Sequence, residues 1–531
     1  MSPRAHLLVL GVLCLCLQTP GSRHAAARPG GGQNYRAADR GSSSSSSSSS
    51  TSRGSSTDSY RPSEPENRST YRPGSSSVTA YDSHFSAEEI AAIQNRKPIP
   101  GATLPPAPPK GHGMAFALLF CLFLVGVLLV YLLRGRRAKH QVATRPTIRV
   151  NPIIQERSVD ALKERDASFD AQAFTDRTRA VVAAVNKAWL TGDMGAVRAL
   201  ISDGVFVRFT TQLHLLRSQG LRNAMADWRV VSAEILAADC DDLWDTVHVK
   251  IVGAARDLDL PLDLPPAEAE KRLQRAALGE YDEAWSFVRR RGKRSHKGAP
   301  ALAGQCPSCG AALPLSEVVR CDYCKALVNS GEHDWVLAEI TQAAEWRAGA
   351  SVKTIPGLDA LRERDPSLSR QELEDRVSVD FWKWVEARCT GKPDRLARFC
   401  LKPPQDDAAR RSLALSPSSL RAVAVGSADL KRLDAQEGFD RATLEVRWSA
   451  AENNGPPVHH RHLFILGRAA AARSQRGLSS LDCPSCGGPL ASSDEVTCRY
   501  CGTQLTGGQH EWALVEVKER TEEKTKASPN G

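Results

Sequence analysis

The sequence lacks the short motifs that mark the commonest enzyme classes. It contains no glycine-rich phosphate loop, no nucleophile elbow and no metal-hydrolase helix. It also lacks a strong charge bias, because 70 basic and 60 acidic side chains leave a net charge of +10 over 531 residues. An excess of this size does not by itself identify a nucleic-acid-binding protein. Because the motifs of the common enzyme classes are absent, we expect that the protein is not an enzyme.

Cysteine, by contrast, occurs in a repeated arrangement. Of the 14 cysteines, eight form two quartets, within CPSCGAALPLSEVVRCDYC at 306–324 and CPSCGGPLASSDEVTCRYC at 483–501. We assign no role to the other six. The predicted metal ligands are Cys306, Cys309, Cys321, Cys324, Cys483, Cys486, Cys498 and Cys501.

The quartets have the spacing of zinc ribbons. A Cys-x-x-Cys pair places two thiolates on one tight turn, and two such turns supply the four ligands of a tetrahedral zinc site. We predict two structural Zn²⁺ ions per chain, because four protein ligands leave no position open to water. Disulfides and a rubredoxin-like iron site are the alternatives, and four thiolates do not distinguish zinc from iron. His333 and His510 occupy matching positions after the quartets, where each is either an exchanging fifth ligand or, as we favour, part of a turn.

The N-terminal part of the chain has the features of an exported segment. Residues 1–27 carry Arg4, a short apolar run and small residues ending in alanines, which is typical of a signal peptide. An uncleaved anchor is the alternative. Residues 28–113 are rich in Ser, Gly and Pro and cannot bury enough apolar surface to offset chain entropy. We expect them to form a disordered extracytoplasmic segment.

A transmembrane helix is predicted at 114–133, where MAFALLFCLFLVGVLLVYLL contains no charge. A helix of this length spans about 30 Å, the thickness of a bilayer's hydrocarbon core. The positive-inside rule places the C-terminal side in the cytoplasm, since basic residues follow the segment closely. We therefore predict a single-pass protein of the inner (plasma) membrane, with cysteines in a reducing compartment that favours metal binding over disulfides. The membrane-proximal basic residues are Arg134, Arg136, Arg137 and Lys139.

The chain after residue 150 contains two copies of one unit. DALKERDASFDAQAF begins at Asp160 and DALRERDPSLSRQEL at Asp359, an offset of 199 (359 − 160). The quartets have an offset of 177 (483 − 306), so the second copy is shorter by 22 residues (199 − 177). The predicted segments are a basic juxtamembrane linker at 134–157, copy one at 158–292, a basic linker at 293–305, ribbon one at 306–340, a linker at 341–357, copy two at 358–470, ribbon two at 483–517 and a disordered tail at 518–531.

Apolar periodicity predicts the fold class of each copy. In copy one, a helical period runs from Phe174 to Trp189 and is broken by TGD at 191–193, and further helical segments end at Gly220. Alternation of apolar and polar residues then indicates strands. Helices followed by strands indicate an α+β fold, not an alternating parallel sheet. The predicted strands include 247–251, 285–287, 442–450 and 461–468.

Copy one contains a set of short features spread over roughly residues 165–292: Ala188-Trp189, Gly192-Asp193, Ser202-Asp203, QGLRN at 219–223, Asp245 before a valine-rich strand and the closing Trp285-x-Phe287. With these features, copy one resembles the Tim44-like domain family. Copy two departs from the family pattern, because Arg388 replaces Trp189 and no QGLRN sequence follows.

The resemblance implies a fold and a role. The fold would be cone-shaped, like nuclear transport factor two, with helices against a curved antiparallel sheet. The role would be membrane association and scaffolding toward a chaperone, a translocase or the ribosome. Because a cone-shaped sheet tends to leave an apolar hollow, we expect copy one alone to bind an acyl chain or an apolar peptide. The candidate pocket residues are Phe174, Val185, Trp189, Phe206 and Phe209.

Two other functions remain open from the sequence. The ribbons and the basic run RRRGKRSHK at 289–297 could bind nucleic acid or ribosomal RNA, although no aromatic residue interleaves with the run. Anionic lipid headgroups of the bilayer would attract the same run. The cone fold could instead hold an enzyme pocket, but no small-molecule substrate is identified. Its candidate acids and bases, each better explained by a helix face or a turn, are His214, Asp241, Asp242 and Asp245.

Overall fold

The computed structural model describes residues 146–520, apart from 297, 314–318, 348–353, 453–454, 476, 479 and 491–494. All of the described residues belong to one unit. None of the helices in this part combines the length and the apolar character of a membrane span. The predicted segments at 1–27, 28–113 and 114–133 lie outside the described residues, as do Arg134, Arg136, Arg137 and Lys139.

Three of the four α-helices of the first half precede its strands, as predicted, and the fourth lies between the second and third strands. Its four strands form an antiparallel sheet in the order β1-β2-β3-β4. The helices are α1 Pro152–Arg165, α2 Ala171–Thr191, α3 Asp203–Ser218 and α4 Pro266–Arg275, and the strands are β1 Leu221–Cys240, β2 Trp244–Pro261, β3 Leu278–Arg290 and β4 Val336–Gln342.

Helix α2 confirms the predicted helical period and its end. The carboxylate of Asp170 accepts the Ala173 backbone N–H at 2.6 Å, which satisfies one free donor of the first turn. Gly192 follows the helix with φ 72°, a left-handed conformation that glycine adopts without steric cost. The apolar positions of the period, including Phe174 and Trp189, lie on the buried face.

The two central strands were predicted, whereas the edge strands were not. Alternation at 247–251 and 285–287 falls within β2 and β3, which pair antiparallel. Strand β1 escaped prediction because most of its first half is exposed or half-buried and three irregularities interrupt its register with β2. Such interruptions blur the period of two that identifies a strand from sequence.

Strand β4 changes the predicted boundary between domain and ribbon. The sequence assigned 306–340 to a separate module after the first domain. In the structure, Val336–Gln342 pairs with β3, where Val336 lies opposite Val288 and Ile340 opposite Trp285. Leu337 and Ile340 are fully buried in the core of the first half, which explains why this segment returns to the sheet. The first cysteine quartet is therefore inserted between two neighbouring strands of one sheet.

The second half repeats this order of elements. Its sheet has the order β5-β6-β7-β8, and the second quartet lies between β7 and β8. The predicted strands at 442–450 and 461–468 are parts of β6 and β7. The helices are α5 Leu358–Arg362, α6 Arg370–Thr390 and α7 Asp407–Ser412, and the strands are β5 Leu420–Gln436, β6 Phe439–Glu452, β7 Val458–Ala469 and β8 Ala513–Glu519.

Most of the length difference between the halves lies in one hairpin. Asp245 pairs with Arg289 across β2 and β3, and Asp440 pairs with Arg468 across β6 and β7. The offset in residue number between corresponding residues of the two halves is 195 (440 − 245) at the aspartates and 179 (468 − 289) at the arginines. The hairpin that joins the second and third strands of each sheet therefore accounts for 16 (195 − 179) of the residues that the second half lacks. Helix α4 belongs to the longer hairpin, and the shorter one has no counterpart.

Helix α3 belongs to the cores of both halves. Its Phe209 and Leu216 are buried in the first core, whereas Val207 and Leu215 are buried in the second. In the second half, the corresponding helix α7 has 6 residues, against 16 in α3. A helix from the predicted segment 158–292 thus completes the core of the half that contains the predicted segment 358–470.

The contact between α3 and α6 depends on a glycine. The Gly204 backbone N–H donates to Asp375 Oδ1 at 3.0 Å. A Cβ at position 204 would lie 2.9 Å from the Asp375 carbonyl oxygen, closer than side-chain carbons approach backbone. Only a residue without a side chain lets the two helices cross this closely.

Leu215 belongs to the first half in sequence but to the core of the second half. Truncation of Leu215 should therefore destabilise the second half. For Leu215→Ala we expect a loss of about 2–5 kcal/mol in the free energy of unfolding, typical of a buried leucine. Amide hydrogen exchange of the full-length protein in detergent should accelerate in residues 420–469.

The adjacent Leu216 provides a matched control. Leu216→Ala removes an equally buried side chain from the first core, and exchange should accelerate in residues 221–261. If both variants accelerate the same strands, α3 does not serve two cores.

Candidate metal centres

The two cysteine quartets have the geometry of tetrahedral thiolate sites. The Sγ atoms of Cys306 and Cys324 lie 3.7 Å apart, and those of Cys309 and Cys321 lie 3.8 Å apart. The second quartet repeats both distances. A tetrahedron with Zn–S bonds of about 2.3 Å has edges of about 3.8 Å, whereas a disulfide would bring two sulfurs to about 2 Å. The residues fit a metal ion.

Each Cys-x-x-Cys pair sits on a tight turn closed by a backbone hydrogen bond. The Gly310 N–H donates to the Cys306 carbonyl at 2.8 Å, and the Gly487 N–H donates to the Cys483 carbonyl at 2.8 Å. The residue after each pair has a positive φ, and three of the four are glycines. Lys325, at φ 61°, is the exception and takes a conformation that side chains rarely adopt.

The pKa values of the thiols and the short distances between them favour a bound cation. Burial raises the pKa of Cys306 to about 12, whereas the backbone N–H of Ala326 lowers the pKa of Cys324 to about 6. In the second quartet, burial raises the pKa of Cys483 to about 12, and Thr503 lowers that of Cys501 to about 6. Four thiolates within 4.8 Å of one another repel, so a bound cation is what allows all four to ionise.

The arrangement indicates a structural site. Four cysteines fill the tetrahedron and leave no position for a substrate or a reactive water. His333 and His510 belong to neither cluster, which favours their interpretation as turn residues. The geometry leaves zinc and iron equally possible.

We call each cysteine quartet with its turns a module, and the residues that connect a module to the strands before and after it the stem. A buried arginine holds the stem of the first module, which connects 306–324 to β3 and β4, against the sheet. Arg289, with 0% of its surface exposed, donates to Asp166 Oδ2 at 2.9 Å and lies 3.5 Å from Asp245 Oδ2. Its guanidinium stacks 4.2 Å from the ring centre of Trp335, which precedes β4. Ser295, in the stem, donates its backbone N–H to Asp166 Oδ2 at 2.7 Å. Burial raises the pKa of Asp166, but the hydrogen bonds from Ser295 and Arg289 outweigh it and hold that pKa below its ordinary value.

The second half contains the same network. Arg468 donates to Asp365 Oδ2 at 2.8 Å, lies 3.4 Å from Asp440 Oδ2 and stacks 4.5 Å from Trp512. Ser474 takes the place of Ser295 and donates its N–H to Asp365. Each module is thus anchored at its stem by one guanidinium.

A second pair of ion contacts holds the far side of each module. Arg177 of α2 donates to Asp334 Oδ2 at 2.9 Å, and Arg376 of α6 donates to Glu511 Oε2 at 2.7 Å. These acids are the fourth residues of GEHDW and GQHEW, and the tryptophans that follow are those stacked under the arginines. The acid and the tryptophan of each motif therefore hold the chain against the helices and the sheet at the point where it leaves the module.

The basic run at 289–297 is only partly available for binding. Arg289 is buried in the network, and the Arg290 guanidinium lies 5.4 Å from the ring centre of Trp244. Arg291, Lys293 and Arg294 are exposed. The first two residues of the run are the last two residues of strand β3.

Four of the five predicted pocket residues are buried in the core of the first half. Phe174, Val185, Trp189 and Phe209 are at most 4% exposed. Trp189 donates its indole N–H to Asn223 of the QGLRN sequence at 2.9 Å. The tryptophan and the QGLRN sequence, two features of the family pattern, therefore contact each other. Phe206 is half-buried beneath the Arg198 guanidinium. These side chains therefore have little surface exposed to solvent, and the binding of an acyl chain or an apolar peptide stays a prediction.

The candidate acids and bases do not converge on one site. His214 Nδ1 lies 3.2 Å from Glu386 Oε1. Asp241 caps a turn by accepting the backbone N–H groups of Leu243 and Trp244, and Asp242 is exposed. Asp245 belongs to the arginine network.

A cavity of about 70 Å³, lined by both polar and apolar side chains, lies between the two halves and was not predicted. Glu339 of β4 accepts the Ala428 N–H at 3.3 Å, and Glu374 of α6 accepts the Leu430 N–H at 3.1 Å. Burial and then neighbouring carboxylates raise the pKa of Glu339 to about 8, and burial raises that of Glu374 to about 7. Both side chains cap edge strand β5, which keeps that edge from pairing with another strand. Residues this distant in sequence leave no local signal.

Comparison with known proteins identifies one segment. Residues 155–258 match the Tim44-like domain. The matched residues include most of α1, all of α2, α3 and β1 and most of β2, and they end before the first cysteine quartet. None of the curated proteins matches the sequence. A solved structure described as an Ntf2-like protein involved in plasmid conjugation aligns with 62% of this chain and 93% of its own at 11% identity; its TM-score of 0.11 carries no argument.

Two metal ions per chain are expected if both quartets are filled. Protein purified from cells without added metal should contain two zinc ions, as measured by elemental analysis. Cys306→Ser should lower the content to one, because it removes a ligand that a water or hydroxyl replaces poorly. One ion or none in the unmodified protein, or iron in place of zinc, would contradict the assignment.

Proposed function

We propose that the chain is a membrane-anchored scaffold that presents a Tim44-like domain, a divergent second copy and two zinc ribbons to the cytoplasm. The Tim44-like match at 155–258 is the observation that carries the proposal, because it suggests a membrane-associated scaffold role. The protein partners would be a chaperone, a translocase or the ribosome at the inner membrane.

The packing of the two halves supports a scaffold. A helix shared by two cores holds both halves in a fixed relation, and Asp203 at the start of that helix also accepts hydrogen bonds from Ser480 and Leu481 of the second half. A rigid body keeps its binding surfaces at fixed spacing, which is what a tether requires. The anchor would be the apolar segment 114–133, with the basic residues after it on the cytoplasmic side.

The alternatives receive less support. Nucleic-acid or lipid binding through 289–297 would have to do without Arg289, which is buried, and Arg290 is half-buried against Trp244. A pocket enzyme or a lipid carrier built on the first half would need a hollow where Trp189 and Phe209 are packed. The proposal is accordingly a non-enzymatic role.

Membrane topology can be measured with engineered cysteines. A thiol reagent that does not cross membranes should label intact cells carrying Ser45→Cys and should not label those carrying Ser351→Cys. The parent chain gives the background from native cysteines, and cell lysis should expose position 351. The reverse pattern would overturn the orientation.

The partner can be sought by affinity capture of the detergent-solubilised protein, with and without nuclease. A scaffold for proteins should retain its partners after nuclease treatment. Loss of all captured material with nuclease would favour the nucleic-acid alternative.

A further inference from the structure

The two cysteine modules share one buried attachment point on the first half. Asp203, the first residue of α3, is 1% exposed. Its Oδ1 accepts the Asn329 side-chain N–H at 3.0 Å, and its Oδ2 accepts the backbone N–H groups of Ser480 and Leu481 at 2.6 and 2.8 Å. Asn329 lies where the chain leaves module one, and residues 480–481 lead into module two. One carboxylate therefore binds both stems.

Further contacts join the stems next to Asp203. The Leu478 backbone N–H donates to the Ser330 carbonyl at 2.9 Å, which links the two stems without an intermediary. Arg398 donates to the Ser480 carbonyl at 2.7 Å, and Arg198 forms an ion pair with Asp203. The stems are therefore held as one layer.

The modules also touch each other directly. Arg320 of module one donates to the Gly487 carbonyl at 2.7 Å, next to the second ligand of a Cys-x-x-Cys turn in module two. The same guanidinium donates to the Lys325 carbonyl at 2.8 Å and so contacts the turn of its own fourth ligand. One side chain thus bridges a turn of each metal site.

These contacts depend on both modules being folded. Each module has a small core of its own, and zinc modules of this size fold only with their metal. Loss of one module would leave Asp203, a buried charge, without part of its hydrogen-bonding shell, which is costly. The second module would then dock on a weakened surface.

We infer that the two metal sites are thermodynamically coupled through Asp203 and the Arg320–Gly487 contact, so that filling either site raises the metal affinity of the other. The inference rests on the zinc assignment proposed above and adds that the sites act as a pair. Coupling between sites commonly amounts to a 5- to 150-fold change in affinity, and we expect about tenfold here.

The test uses the full-length protein in detergent with zinc as the probe. Competition with a chromogenic chelator gives the affinity of module one, first with module two intact and then with Cys483→Ser/Cys486→Ser. We expect the affinity of module one to fall about tenfold. Cys306→Ser/Cys309→Ser should lower the affinity of module two by the same factor, because coupling is reciprocal.

Three further variants locate the coupling. In an Asp203→Asn or an Arg320→Ala background, removing module two should change the affinity of module one by a factor clearly smaller than ten. Arg272→Ala, on the exposed face of α4, is the matched control and should keep the tenfold factor. If Asp203→Asn does not fold, the half-buried Arg320 decides the question.

The outcomes separate the two claims. Absence of bound zinc in the unmodified protein overturns the metal assignment and the coupling with it. Two bound ions whose affinities do not depend on each other overturn the coupling alone.

Discussion

The structure depends on a guanidinium buried at the same place in each half. A buried arginine is tolerated only when every partner is in position, because an unpaired charge in the interior costs several kcal/mol. Arg289 draws its partners from the turn before α2, from β2, from the module stem and from Trp335 ahead of β4. It therefore fixes where the chain enters and leaves the cysteine module. Arg468 does the same in the second half.

This constraint makes the metal modules part of the sheets. Each module lies between the third and fourth strands, so the fourth strand can pair only if the module returns the chain to the right place. The fourth strand of the first half also reaches the second half through Glu339. With α3 shared between two cores, the result is one body with two metal centres.

Patterns of closely spaced residues predicted those parts of the structure that depend on local sequence. Spacing located both quartets, and apolar periods located α2, β2 and β3. Long-range contacts decided the rest: β4 pairs with residues far back in the chain, and β1 has an irregular register. Two signals went unused. Helix α3 carries apolar residues such as Val207 and Phe209 on more than one face, as a helix buried all round does, and GEHDW and GQHEW place an acid beside a tryptophan in both copies.

The central claim is that metal binding and sheet closure are one event. Hydrogen exchange of the zinc-loaded protein, before and after treatment with a strong chelator, tests it most directly. The account predicts that chelation accelerates exchange in both modules and also in β4 and β8, while β2 and β6 stay protected. Rapid exchange confined to 306–328 and 483–505, with 336–342 and 513–519 unchanged, would contradict it and show that the modules are appendages of an independently folded unit.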